Sequence, residues 1–209
     1  MSRGTMSAKH VTELERVGAH PALDFANTVS WRGQGREVEY LRSYGALLAW
    51  SRAAGLVSRG EAGRLGREAV RRPRRAAAAL RRARTLRETI FRIASAVARG
   101  AVPPARAAAR AHAARIEALA HAHLAPAGRG AWAPTWHAAP RDLDRPWWPV
   151  AVAFASLLER PGAYPLGICP DCSWLFLDQS RNRSRRWCSS GDCGNRARGR
   201  RFRARSAAR

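Results

Sequence analysis

Lysine is nearly missing from this chain: Lys9 is the only one in 209 residues. Acidic side chains are scarce too, 15 Asp and Glu against 38 Lys and Arg, which leaves a formal charge of +23. Alanine is abundant alongside arginine. The arginine count therefore mixes composition with function, and the placement of the arginines says more than their number. A field of this sign favours polyanions, nucleic acid first and an anionic membrane second. Long apolar runs are also absent. The longest, residues 150–158, is broken by Ser156 and falls far short of the roughly 20 residues that span a bilayer. Residues 1–18 lack the apolar segment of a secretory signal. A cytoplasmic, nucleoid-associated protein without membrane contact is expected.

Catalytic signatures are missing as well. The six histidines are His10, His20, His112, His121, His123 and His137, and none completes an HExxH pattern. Gly33-Gln34-Gly35 is too short for a phosphate-cradling loop. No Ser/His/Asp order stands out, so a non-enzymatic protein is expected.

What is present reads as mainly α. Residues 1–17 read as a flexible arm, 18–160 as a helical domain, and 161–209 as a small separate module. Leu41, Tyr44, Leu47 and Leu48 mark one face of a helix that ends before Gly55. Ser58 and Glu61 form a capping box for the next. A longer helix is expected from about Arg74 to Arg99, with Leu80, Leu86, Ile90, Ile93 and Val97 inward and Gly100 as its stop. Pro103-Pro104 opens another, over residues 105–124, with Ile116 and Leu119 on its apolar stripe. Residues 126–149 carry four of the eight tryptophans and five prolines. They read as a loop or hairpin packed on the helices, followed by a short buried helix over 150–158. Pro161, Gly162 and Pro165 mark the boundary of the last module.

That module holds all four cysteines: Cys169, Cys172, Cys188 and Cys193. Two close-spaced thiolate pairs joined by a hairpin-sized segment can set four sulfurs tetrahedrally around one structural Zn²⁺. Disulfides are disfavoured in a reducing compartment. Cys169-Pro-Asp-Cys172 has the spacing of a redox pair, but that reading leaves Cys188 and Cys193 without a role. A closed four-thiolate site has no open position for a substrate. Residues 173–178 read as a strand, so the module is expected to be a β-hairpin plus a basic helix.

From Cys169 to Arg209 there are eleven arginines and three aspartates, and no acid follows Asp192. A helix opening at Cys193 places Arg196, Arg200 and Arg203 on one face, with Arg198, Arg201 and Arg205 roughly opposite. Phe202 lies between the rows and is expected to pack on the hairpin. Arg181, Arg183, Arg185 and Arg186 form a second cluster nearer the cysteines. Such rows suit phosphates and base edges of a duplex, and the module has few aromatics for stacking single strands.

Trp174-Leu-Phe-Leu-Asp178, Arg181-Asn-Arg-Ser-Arg-Arg-Trp-Cys188 and Cys193-Gly-Asn-Arg196 together closely resemble the CGNR zinc-finger family, named for the last tetrapeptide. Leu23-Asp-Phe-Ala-Asn-Thr28 resembles the hallmark of the ABATE domain, a stress-induced transcription regulator domain that precedes such fingers. The resemblance implies that the four cysteines hold zinc and that the finger binds DNA; Asn195 and Arg196 join the other arginines as candidate nucleic-acid contacts. It also implies an N-terminal sensor of a small ligand or stress signal.

Asp24 and Asn27 share a helical face. They are candidate ligand-binding residues in that sensor; the alternative is capping and an internal polar network. The reading is thus a DNA-binding transcription regulator, with a homodimer as the form in which such regulators read two half-sites. An RNA-binding or ribosome-associated zinc protein is the alternative. An enzyme with its site around Asp24, Asn27 and the tryptophan-rich segment is a more distant one.

Overall fold

Helix α4 (Pro73–Ala98) is the element on which most others rest. A computed structural model describes residues 10–136, 142–159 and 165–207, and its architecture is mainly α. Proline at the first turn starts α4, and Leu80, Leu86, Ile90 and Ile93 recur at helical spacing on its buried face. Gly100, at φ +67°, ends it. Against α4 pack α1 (Pro21–Ala26), α2 (Tyr44–Ala53), α3 (Arg59–Arg71) and α5 (Ala105–Ala120). The Ser58–Glu61 capping box starts α3. α6 (Trp148–Glu159) fills the groove beside α1 and α5. Among the described residues no helix is long and apolar enough to cross a membrane.

Two expected apolar faces differ from the observed ones. Val97 is 40% exposed, because it lines an open groove of about 300 Å³ between α4, α5 and α6. Ile116 and Leu119 are 54% and 36% exposed. α5 turns a different stripe inward: Ala107, Ala111, Ala114 and Ala118, spaced by three and four residues. Small side chains let its backbone approach α4 and α6, and that proximity outweighs the transfer energy of two larger residues left outside.

The tryptophan-rich segment contains a hairpin, β3 (His123–Pro126) paired with β4 (Trp132–Thr135). Trp136, Trp147 and Trp148 are buried, and the Trp136 Nε1–H donates to the Ala118 carbonyl at 2.7 Å. His137 and Pro140 lie outside the described residues. So does the expected domain boundary at Pro161 and Gly162, together with residues 1–9 of the expected arm. The described part of that arm is packed: His10 caps a short 3₁₀ turn (Val11–Glu13), and Val11 is buried against α2.

Strand β1 (Val29–Ser30) pairs antiparallel with β2 (Val38–Glu39). The end of β2 is anchored by charge. Buried Arg87 donates from Nη1 and Nη2 to the two carboxylate oxygens of Glu39, both at 2.7 Å. Several arginines of this basic chain are therefore internal struts.

The C-terminal hairpin, β5 (Leu166–Ile168) and β6 (Leu175–Leu177), lies directly on the helices. Alternation along β6 divides its side chains between two cores. Leu175 and Leu177 join the helical core, whereas Phe176 packs with Trp31 and the four cysteines. Gly167 sits opposite Phe176, where a Cβ would fall 2.4 Å from the ring. The outer edge of β6 is closed by the N-terminal domain. The Leu175 N–H donates to Asn27 Oδ1 at 2.8 Å, and Asn27 Nδ2 donates to the Leu175 carbonyl at 2.9 Å. The Leu177 N–H donates to the Gly18 carbonyl at 3.1 Å. One side-chain amide thus serves β6 as a neighbouring strand would.

Asn27→Ala leaves a buried N–H and a buried C=O unpaired, which costs about 1–3 kcal/mol for each such group. A fall in thermal midpoint with the zinc content unchanged is expected from calorimetry beside metal analysis. An unchanged midpoint would mean the amide is not holding the strand.

Candidate metal centre and nucleic-acid surface

The four cysteines converge from three pieces of chain. Cys169 and Cys172 flank a tight turn in which the Ser173 N–H returns to the Cys169 carbonyl at 3.0 Å, with Ser173 at φ +64°. Cys188 ends the loop that follows β6. Cys193 lies in a π-helical turn (Ser190–Gly194) that leads into α7 (Asn195–Ala207). All four are buried, and their Sγ atoms lie within 4.8 Å of one another. Tetrahedral zinc with bonds of about 2.3 Å separates its sulfurs by about 3.8 Å, so the donor set and its size fit one Zn²⁺. Thiols this close compete for protons. Hydrogen bonds with Cys172, Cys188 and Cys193 push Cys169 down, while hydrogen bonding with Cys169 heads the causes that push Cys172 and Cys193 up.

Each residue of the Cys193-Gly-Asn-Arg196 tetrapeptide has a physical task here. Cys193 supplies a sulfur. Gly194 is buried where a Cβ would lie 3.3 Å from the Trp187 ring. Asn195 Nδ2 donates to the Gly191 carbonyl at 2.6 Å, and its Oδ1 accepts from Arg198. Arg196 donates to Cys193 Sγ and to Asp171 Oδ2, both at 2.8 Å, and pairs with Asp192. Charge placed on a thiolate by a neighbouring guanidinium offsets the net negative charge of a four-thiolate zinc site. Arg200 reaches the other oxygen of Asp171 at 2.7 Å. Burial opposes ionisation of Asp171, but the hydrogen bonds from Arg196 and Arg200 prevail and hold its carboxyl below the usual range.

The second arginine cluster divides in the same way. Asp178 accepts from the Ser180 N–H and hydroxyl and from the Arg185 N–H, which fixes the loop 178–187. Arg185 turns inward, with its guanidinium 4.5 Å from the Phe176 ring centroid and donating to the carbonyls of Trp187, Val17 and Cys188. Arg198 donates to the Ser190 carbonyl at 3.0 Å. Of the predicted contact residues, Arg181, Arg183, Arg186, Arg198, Arg201, Arg203 and Arg205 are exposed with no acidic partner among the described residues. Phe202 is 72% exposed. Contrary to expectation it does not pack on the hairpin, because only Ala197 of α7 is buried and the helix continues past the finger.

Asp24 and Asn27 lie at the seam between the two modules. Asn27 is committed to Leu175, and Asp24 Oδ1 accepts the Gly18 N–H at 2.8 Å. Burial pushes the Asp24 carboxyl up to about 6, against the opposing pull of that bond and of Arg16. Sequence reasoning missed Asp171, Asp178 and Trp31 as organisers of the finger. For the two aspartates the available signal was scarcity, since an acid in so basic a segment is placed to anchor arginines.

A buried four-thiol site beneath an arginine-rich helix defines a zinc-finger protein. The family models are more specific: a CGNR zinc finger matches residues 166–206, and ABATE, described as "Putative stress-induced transcription regulator", matches residues 19–161. The chain belongs to the ABATE family and carries a CGNR zinc finger at its C-terminal side. No curated protein matches it.

Cys188→Ser should lose the metal in a zinc-content assay. Because Leu175 and Leu177 belong to the helical core, the thermal midpoint of the whole protein should fall with it. Full zinc retention would overturn the ligand set. Asp24 carries a pH signature. Its folded pKa of about 6 lies above the ordinary 3.8, so its stabilising contribution is complete below pH 3.8 and is lost as pH rises through 6. The midpoint of Asp24→Asn minus that of the wild type should therefore rise between pH 4 and 7. A constant difference would contradict the shift.

Proposed function

We propose that the protein is a DNA-binding transcription regulator of the cytoplasm and nucleoid. Its helical domain senses a small ligand or stress signal, and its finger grips duplex DNA. One observation carries this reading: the finger's three aspartates are consumed internally, Asp171 by Arg196 and Arg200, Asp178 by its own loop and Asp192 by Arg196. Seven exposed guanidinia are left without an acidic partner among the described residues, on the loop 181–186 and along α7 from Arg198 outward. Cations concentrated in this way repel one another unless a polyanion is bound.

Duplex DNA fits better than single strands. Phe176 is buried, Trp174 and Trp187 are half-buried, and Phe202 is the one large exposed aromatic of the described finger. That leaves no platform on which successive bases can stack. Helix α7, at 13 residues, is about 20 Å long. It suits the roughly 12 Å wide major groove of B-form DNA rather than the deep, narrow one of A-form RNA. The reading is non-catalytic: zinc, held by four thiolates, orders the chain and offers no site for substrate.

Fluorescence anisotropy with B-form DNA and A-form RNA duplexes, across a salt series, tests this. DNA should bind more tightly at matched salt. Replacing Arg201, Arg203 and Arg205 with alanine should shallow the salt slope by about 0.9 for each phosphate that is no longer neutralised. An unchanged slope would show that these arginines do not face phosphate, and tighter RNA binding would favour the RNA reading.

A further inference from the structure

Between the β1–β2 turn and the zinc knuckle lies a cleft of about 730 Å³, a size typical of small-molecule sites. Its walls come from both modules. Trp31 and Tyr40 belong to the helical domain and Trp174 to the finger, while Cys172, Cys188 and Cys193 border it on the metal side. Building on the sensor reading above, we propose that this cleft binds a small planar aromatic anion.

Trp31 is the first reason. It is 9% exposed, and its Nε1–H is buried with no hydrogen-bond partner. A buried donor left unpaired costs about 1–3 kcal/mol, which an acceptor on a bound molecule would recover once the indole turns toward the cleft. The backbone there is strained as well. Trp31 sits at φ +55°, a left-handed conformation that bulky side chains rarely adopt and that is held only where the surroundings enforce it. The enforcing bond is from the Trp31 N–H to the Cys172 carbonyl at 2.8 Å.

Charge is the second reason. Arg36 and Arg42 line the cleft without an acidic partner among the described residues. The Arg36 guanidinium stands 5.2 Å from the centroid of the Trp31 ring. The neighbouring acids are engaged elsewhere: Glu37 accepts from Gly33, Glu39 holds Arg87, and Asp192 holds Arg196. Glu15 remains on the wall. The thiolate side is electronegative, so the anionic group of the occupant belongs at the Arg36 and Arg42 side, with its ring among the three aromatic walls.

The cleft is also wired to the arginine helix. Trp31 holds Cys172, and Gln34 Nε2 donates to the Asp171 carbonyl at 2.9 Å. The Asp171 carboxylate in turn holds Arg196 and Arg200 of α7. An occupant pressing on Trp31 therefore acts on the turn that sets the pose of α7.

The experiment uses zinc-loaded full-length protein with ¹⁵N-labelled indoles, titrated with 1-naphthoate and, for comparison, with neutral 1-naphthalenemethanol. The Trp31 indole signal is assigned from its loss in Trp31→Phe. A saturable shift of that signal is expected with naphthoate, with affinity about tenfold weaker in Arg36→Ala/Arg42→Ala and weaker still for the alcohol. No saturable shift at Trp31, or one indifferent to both arginines, would overturn the site. Zinc content of each variant checks that the finger stays formed. Duplex-DNA affinity is read in the same samples to separate the two claims. Binding at Trp31 that leaves DNA affinity unchanged upholds the site and removes the sensory reading. DNA affinity that responds to naphthoate while Trp31 stays silent overturns the site and leaves sensing intact.

Discussion

Strand β6 is three residues long, yet both halves of the molecule depend on how it is held. Its odd-numbered side chains enter the helical core and its even-numbered one faces the cysteines. Full burial of a leucine contributes about 1.5–3 kcal/mol. Leu175 and Leu177 therefore bring to the finger a core that some 40 residues cannot build alone. The Asn27 amide completes the arrangement by pairing both backbone groups of Leu175. Zinc ties the knuckle to α7, and β6 ties the knuckle to the helices. In this protein the finger is a layer of the domain, so a change on either side of the seam is felt on the other.

The charge of the chain has a similar division of labour. Arg87, Arg185 and Arg196 are embedded among carboxylates, carbonyls, an aromatic ring and a cysteine sulfur. Because acids are few, those that pair, such as Glu39, Asp171 and Asp192, each fix the direction of one or two arginines. What they do not fix is left pointing outward. The net positive surface of the finger is thus defined by subtraction, and the subtraction leaves the loop after β6 and the outer turns of α7.

Much of this is legible in the amino-acid sequence. Helices α2, α3 and α4 follow from apolar periodicity, a capping box and a terminal glycine, all of which are local. The four cysteines are legible because metal chemistry restricts their spacing. Two kinds of information are not. On α5, alanine and larger apolar residues offer competing stripes, and only the closeness of α4 and α6 decides for alanine. Asp24 and Asn27 are readable as polar and buried, but nothing near them in sequence reveals that Leu175, 148 positions away, takes the amide. Likewise Arg196 and Arg200 share a face in sequence, while the acid that pairs with both lies across the finger at Asp171.

Amide hydrogen exchange at Leu175 in the zinc-loaded protein tests the central claim most directly, with the Ile90 amide in the middle of α4 as the internal standard. If β6 is a layer of the helical core, its amide at Leu175 opens only with that core, and the two should exchange with similar protection. Exchange at Leu175 orders of magnitude faster than at Ile90 would mean that the finger opens by itself, and the account of a shared seam would fail.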